Sequence, residues 1–301
     1  MRTACRTRFT TFSGTCGSVQ TLQTIRELLD SRGLSPRKSF GQNFLIDHNL
    51  IRKLVDDAGV GTGDLVLEVG PGTGALTEEL LTRGCRVVAC ELDRGLAELL
   101  RERLTDPAKT LVPPPPPGTS FTLIEGDCLE SKREVSRELA RVLAGQPFRL
   151  VANLPYGAAT PLMLALLVDH PECGSMHVTI QKEVADRLAA GPSSKEYGPI
   201  SIVAQALCKV ERIAALPPEC FWPRPDVTSA MVSLRRLETP LTRDAKRLAG
   251  VCQKLFASRR KQLGSTLGRG FSWPPGVKPE NRIEELSVAQ AVALAAAADS
   301  L

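Results

Sequence analysis

Four consecutive residues, Asn153, Leu154, Pro155 and Tyr156, combine the groups needed to handle an exocyclic amine. The Asn153 side-chain oxygen and a main-chain carbonyl of the loop can each accept a hydrogen bond from an NH2 group, while Pro155 lacks an N–H and keeps the turn rigid. Two such acceptors draw the amine nitrogen out of conjugation with its ring and aim its lone pair at an electrophilic methyl group. Catalysis would then rest on positioning and electrostatics. Tyr156 can stack on a base, a contact worth roughly 1 to 3 kcal/mol, which implies a base unstacked or flipped out of its helix. An ordinary Asn-x-Pro turn with a core tyrosine would show the same four letters, so the surroundings must decide.

Those surroundings contain Glu68-Val69-Gly70-Pro71-Gly72-Thr73-Gly74, set between an apolar run and a helical pattern. Glycines at such a place let the backbone turn tightly and approach a bound nucleotide or nucleoside. Glu91, 21 residues after Gly70, ends the second apolar run. A carboxylate there can accept hydrogen bonds from both ribose hydroxyls. This geometry is shared by NAD and S-adenosylmethionine binders, and the spacing is GxGxG rather than GxGxxG. Glu125-Gly126-Asp127 follows the third run, where an acid can bond an adenine amine; a solvated acidic turn is the alternative. The Asn153 loop follows the fourth run, Phe148 to Ala152. In a doubly wound sheet, ligands bind just beyond the carboxyl ends of the strands, so all these residues would share one crevice.

The elements that must position them alternate. Leu65 to Val69 is apolar, Thr73 to Arg83 helical, Arg86 to Cys90 apolar and Arg94 to Leu104 helical. Phe121 to Ile124, a helix to Leu143, Phe148 to Ala152, a helix from Thr160 and His177 to Ile180 continue the pattern, which argues for a parallel sheet. Two helices precede it, one from Leu22 to Gly33 and one ending at Ala58, separated by a polar, basic stretch from Ser35 to Leu45. Ser229 to Leu234 is the last strand, and from about Thr239 only short helical patterns remain, indicating a separate helical domain. Pro113 to Pro117 can supply neither ladder nor helix donors and reads as a stiff surface insertion or, alternatively, an SH3-type ligand.

Composition narrows the class. With 301 residues, 43% apolar and 24% charged, the chain has room for an α/β domain and a smaller second one. No apolar run reaches the roughly 20 residues of a membrane helix. Nine scattered cysteines without a CxxC pair suggest a reduced compartment, and with three histidines they offer no metal-ligand spacing, so a metal-free mechanism is expected. The net charge of +5 is modest, but between Arg243 and Arg269 eight Lys/Arg face one acid, Asp244. Such a block fits a phosphate-rich partner or a solvated helix face. The first 26 residues hold four arginines and no acid, as an organellar transit peptide would; a spurious extension with translation starting near Val19 is equally compatible.

Taken in order, these motifs resemble the KsgA family of small-subunit rRNA adenine dimethyltransferases, relatives of the Erm macrolide-resistance enzymes and the mitochondrial transcription factor B proteins. The resemblance spans roughly residues 21 to 270. Beyond the motifs above it includes Phe40-Gly-Gln-Asn43-Phe-Leu45, Gln181-Lys-Glu-Val-Ala and Phe221-Trp-Pro-Arg-Pro-Asp-Val-Thr-Ser229.

The resemblance implies a Rossmann-like S-adenosylmethionine methyltransferase domain over 21–238 and a small all-helical, RNA-orienting domain over 239–301, after an unstructured extension over 1–20. It implies N6-dimethylation of two adjacent adenosines in the 3′-terminal hairpin loop of small-subunit rRNA, on naked RNA or an immature subunit, by a monomeric cytoplasmic protein. A mitochondrial or plastid location would follow from a transit peptide. By matching position, Asn43, Leu45, Gly70, Glu91, Asp127 and Asn153 would contact the cofactor. Tyr156 and Phe221 would stack on the base, and Arg259, Arg260 and Lys261 would meet phosphates. An Erm-like enzyme acting on large-subunit rRNA would share every cofactor residue, and a non-catalytic assembly or transcription factor is the reading from another class. The intact Asn153 to Tyr156 loop and Glu91 argue against the latter. The chain departs from the family at Gly157-Ala158-Ala159, where Asn is usual, at Gln262-Leu-Gly-Ser265, and in its proline run.

Overall fold

The computed structural model describes residues 20–37, 40–132, 134–268 and 270–298. The extension expected over 1–20 lies outside the described residues apart from Gln20, as does Arg269 of the basic block. Helix α1 (Leu22–Asp30) and helix α2 (His48–Ala58) flank a loop holding the two-residue strand β1 (Phe44–Leu45). Their starts are fixed by side chains that accept orphan backbone N–H groups, Thr21 for α1 and Asp47 for α2.

The alternating part follows: β2 (Leu65–Val69), α3 (Ala75–Thr82), β3 (Arg86–Glu91), α4 (Arg94–Leu104), a short α5 (Pro107–Thr110) and β4 (Ser120–Glu125). A small hairpin, β5 (Leu129–Ser131) with β6 (Glu134–Val135), leads through α6 (Arg137–Leu143) to β7 (Phe148–Asn153). Next come α7 (Tyr156–Asp169), β8 (Cys173–Gln181), α8 (Lys182–Ala189), α9 (Pro199–Leu207), β9 (Cys208–Leu216), β10 (Phe221–Trp222) and β11 (Ser229–Arg236). Helices α10 (Ala245–Phe256), α11 (Leu263–Leu267) and α12 (Val288–Ala297) close the chain. The proline run is a surface connection from α5 to β4.

Seven strands form one sheet in the order β4-β3-β2-β7-β8-β11-β9. The five from β4 to β8 are parallel, as the alternation implies. The far edge corrects that reading, because β11 runs antiparallel to both β8 and β9. The connection from β9 to β11 holds no crossover helix, which suits antiparallel pairing of those two strands. The expected start of α7 at Thr160 is also corrected, since the helix begins at Tyr156, directly after Pro155.

Side-chain alternation along β2 shows how the sheet is covered. Leu65, Leu67 and Val69 enter one core with α6, α7 and α9, whereas Val66 enters the other with α2, α3 and α4. Leu248, Val251 and Leu255 of α10 and Leu294 of α12 join the first core. Among the described residues no helix is long and apolar enough to cross a membrane. The order of strands reverses between β2 and β7, from which the chain proceeds in opposite directions across the sheet. That reversal opens a crevice at the strands' carboxyl ends.

A buried polar network ties α2 to the antiparallel edge. His177, 1% exposed, donates from Nδ1 to Asp57 Oδ2 at 2.8 Å, and the Ser175 hydroxyl lies 3.0 Å from Nε2. Arg235 donates to the Asp57 carboxylate and carbonyl, each at 2.9 Å. Burial holds the His177 imidazole below its ordinary value despite the Asp57 carboxylate. As pH falls below about 6.5 the unfolded chain binds a proton that folded His177 resists, so this group's contribution to stability is lost. Urea unfolding of wild type and His177→Gln at pH 7 and pH 5 should therefore give the variant the smaller relative loss on acidification; parallel losses would exclude the imidazole as the source.

Candidate active site

Strand ends β2, β3, β4 and β7 surround a cavity of about 500 Å3. Asn43, Leu45, Gly70, Glu91, Asp127, Asn153, Leu154, Pro155 and Tyr156 all line it, so the structure brings together nine of the positions picked from sequence. The glycine loop and the Asn153 loop touch. A Cβ on Gly70, whose φ is +72°, would lie 2.9 Å from the Pro155 ring, and one on Gly72, at φ +63°, would lie 2.8 Å from the Phe44 ring. Only glycine allows both the left-handed backbone and this approach.

Glu91 is 5% exposed and accepts from the Gly72 N–H at 3.1 Å and the Asp93 N–H at 2.9 Å. Burial nevertheless outweighs these donors and pushes its carboxyl up to about 7. Glu68, also on the wall, is held up at about 8 by burial, with the Thr77 hydroxyl donating to it at 2.7 Å and Glu91 adding repulsion. Asp127 is exposed at the rim, where one oxygen accepts from Leu129 N–H at 2.9 Å and starts the β5–β6 hairpin.

The Asn153 side chain has a defined orientation. Its amide nitrogen donates to the Asn43 carbonyl at 2.9 Å, which leaves its oxygen as the group available to the cavity. Leu154 is anchored by its N–H to the Thr179 carbonyl at 3.1 Å, with its side chain in the core. Tyr156 is half-buried and its hydroxyl pairs with that of Ser229 at 2.9 Å, which fixes the ring. Gly157 and Ala158 line the cavity in the first turn of α7, and no heavy atom would lie within 4 Å of a Cβ on Gly157. The far end of α7 is held by Arg236, which donates to the Leu166, Leu167 and His170 carbonyls.

Two expected placements differ. Phe221 lies outside the cavity lining and is only 2% exposed; its ring belongs to the core shared with α2, α3 and α4, and its backbone pairs with Leu45. It presents no surface to a base in this conformation. Arg259 is half-buried and engaged within the protein, paired with Glu284 and donating to the Lys195 and Ser194 carbonyls at 2.8 Å each. Arg260 and Lys261 are exposed. Sequence reasoning passed over Phe44 and Ser229 as positioning groups, although both stand inside motifs it quoted. Glu68 was legible only as a letter of the glycine motif. Among the described residues no group of His, Cys, Asp and Glu is arranged to hold a metal ion, and the seven described cysteines are free thiols.

A mixed sheet with a parallel part of five strands, a glycine loop after its first strand, an acid ending its second, and an Asn-Leu-Pro-Tyr turn at the strand reversal defines a Rossmann-like methyltransferase. The family model for ribosomal RNA adenine dimethylases matches residues 33–299, and the chain belongs to that family. It is 39% identical over 283 residues to ribosomal RNA small subunit methyltransferase A of Phenylobacterium zucineum (strain HLK1), covering 92% of this chain and 93% of that protein. Its counterpart of the same name in Rhodococcus opacus (strain B4) is 38% identical over 286 residues, covering 90% and 92%. Among solved structures, the 23S rRNA methyltransferase ErmE superposes with a TM-score of 0.60 at 24% identity, covering 86% of this chain and 100% of that one. A dimethyladenosine transferase from Plasmodium falciparum gives 0.64 at 21%, covering 82% and 94%. These two establish likeness of fold.

The Arg259 geometry makes a clear distinction. Arg259→Ala should lower stability by about 1 to 3 kcal/mol by leaving carbonyls and Glu284 unpaired, whereas Arg260→Ala should stay within about 0.5 kcal/mol. Denaturant titration of both variants separates these outcomes, and equal stabilities would remove the clasp from the structure's account.

Proposed function

We propose that this chain uses S-adenosylmethionine to dimethylate, at N6, two adjacent adenosines in the 3′-terminal hairpin loop of small-subunit rRNA during subunit assembly. The observation that carries this reading is the Asn153 amide, turned by the Asn43 carbonyl so that its oxygen is available at the cavity shared with the glycine loop. Curated relatives named for the small subunit, at 38 to 39% identity over nine-tenths of the chain, support that substrate over an Erm-like one.

The residues fit the cofactor. The cavity size suits a nucleoside with an amino-acid tail, and its wall joins the glycine loop to the Glu91 and Asp127 carboxyls. Glu91 would take the ribose hydroxyls, Asp127 the adenine amine, and Gly70, Asn43 and Leu45 the remaining wall. Bound there, S-adenosylmethionine supplies an electrophilic methyl group.

The chain's own residues prepare the acceptor. Asn153 Oδ1 and a main-chain carbonyl of the loop accept the N6 hydrogens, two before the first methylation and one before the second, with one N6 proton released to solvent for each methyl gained; Pro155, braced by Gly70, keeps these acceptors in place. Tyr156, its hydroxyl held by Ser229, offers a ring face to the flipped adenine. We assign Arg260 and Lys261, on the helical segment 239–301, to phosphate contacts that orient RNA without reading its sequence. We further propose that the protein acts as a cytoplasmic monomer; the transit-peptide alternative concerns residues outside those described.

Asn153→Ala should reduce kcat by about 100-fold or more while equilibrium cofactor binding changes little. Labelled methyl transfer to immature small subunits measures this, and undiminished transfer would remove Asn153 from the mechanism. Cofactor affinity should rise with pH through about 7 as Glu91 ionises and gains acceptor strength. Calorimetric titration from pH 5.5 to 8 should show that limb in wild type and a weaker, flatter profile in Glu91→Gln; superimposable curves would exclude Glu91 from the ribose site.

A further inference from the structure

The glycine loop is also held from behind, by a residue that belongs to none of the motifs. Gln20 precedes α1 and is 1% exposed. Its Nε2 donates to the Thr73 carbonyl at 3.2 Å, and its Oε1 accepts from the Thr73 hydroxyl at 2.9 Å. A buried amide is costly unless both ends are paired, and here both ends are paired with one residue. Thr73 stands between Gly72 and Gly74, which have φ values of +63° and +89°. Flanked by two residues without side chains, it is the handle by which this turn can be gripped.

Other groups complete the grip. Arg103 of α4 donates to the same Thr73 carbonyl at 2.6 Å and is paired with Glu78 of α3. His48 Nε2 lies 3.1 Å from the Gln20 carbonyl and so holds the segment that carries Gln20. On the cavity side, Glu91 takes the Gly72 N–H. Glycines gain the conformations that other residues lack, so a loop rich in them takes a single shape only when its neighbours impose it.

We propose that Gln20 is a positioning residue for the cofactor: gripping Thr73 by both hydroxyl and carbonyl, it presets the Gly70–Gly74 loop in the shape that accepts S-adenosylmethionine. This rests on the cofactor assignment above. Gln20 touches no reacting atom, so its loss lowers the fraction of molecules with a competent loop and weakens binding by that fraction. The step after binding keeps its geometry.

Gln20→Ala and Gln20→Met test this in the full chain; Met keeps the length and lacks the amide, and serves if the Ala variant does not fold. Calorimetric titration with S-adenosylmethionine should give a Kd raised about 5- to 30-fold. The KM for the cofactor should rise in step, with kcat at saturating cofactor within about twofold of wild type and the KM for rRNA unchanged. In a Thr73→Val background, Gln20→Met should add less than it does alone, because one of its partners is already gone. A Gln20→Met Kd equal to that of wild type overturns the proposal alone, whatever the change in melting temperature. So does a fall in kcat with cofactor affinity intact. Failure of the wild-type protein to bind S-adenosylmethionine overturns the cofactor assignment and this proposal with it.

Discussion

The contact between the Pro155 ring and the backbone of Gly70 sets the terms for everything around it. It exists because β2 and β7 are neighbours in the sheet although β3 and β4 lie between them in the chain. Strand order thus places the turn to which we assign the amine beside the turn to which we assign the nucleoside. The contact also requires that Gly70 carry no side chain and that Pro155 be rigid, so each loop acts as a template for the other. Leu154, anchored to the next strand, and α7, starting directly at Tyr156, prevent the proline from withdrawing. The geometry of methyl transfer is therefore a property of the sheet as much as of four residues.

Electrostatically, the site sets two carboxyls held toward their neutral form beside one neutral acceptor. Glu68 and Glu91 are buried carboxyls whose ionisation is resisted by desolvation, and Asn153 adds a neutral acceptor of fixed direction. A surface of this kind suits a cationic, hydrogen-rich ligand on one side and an exocyclic amine on the other. Both carboxyls are already engaged within the protein, Glu91 by the Gly72 and Asp93 N–H groups and Glu68 by the Thr77 hydroxyl, in keeping with chemistry that depends on alignment.

Much of this was legible in the sequence where one local rule decided the outcome. The runs forming β2 and β3 are apolar on both faces, as buried parallel strands are, and α4 was bounded correctly because Asp93 and the periodic leucines mark it. Strand β9 was missed because, as an edge, it carries Lys209, Glu211 and Arg212 in place of an apolar run. The start of α7 was misplaced because Gly157 and Pro161 are poor helix signals that tertiary packing overrides. Phe221 and Arg259 fit the expected motifs by type and position, but the direction of a ring and the partners of a guanidinium depend on chain segments far away in sequence. The resemblance to known methyltransferases could assign those residues roles; it could not turn their side chains.

The little ladder of β1 with β10 has a temporal meaning. Phe44 and Leu45, which wall the cofactor cavity, are paired with Trp222 and Phe221, and the Phe44 and Trp222 rings stack at 6.2 Å. A chain made from its N-terminus exposes the glycine loop, Glu91 and even Asn153 before Trp222 has been synthesised. Until then the wall lacks its strand partner and rests only on earlier segments, Phe44 against Ile25, Leu29 and Leu96. The last support of this wall is thus added only once Trp222 has been made, after the strands that line the cavity.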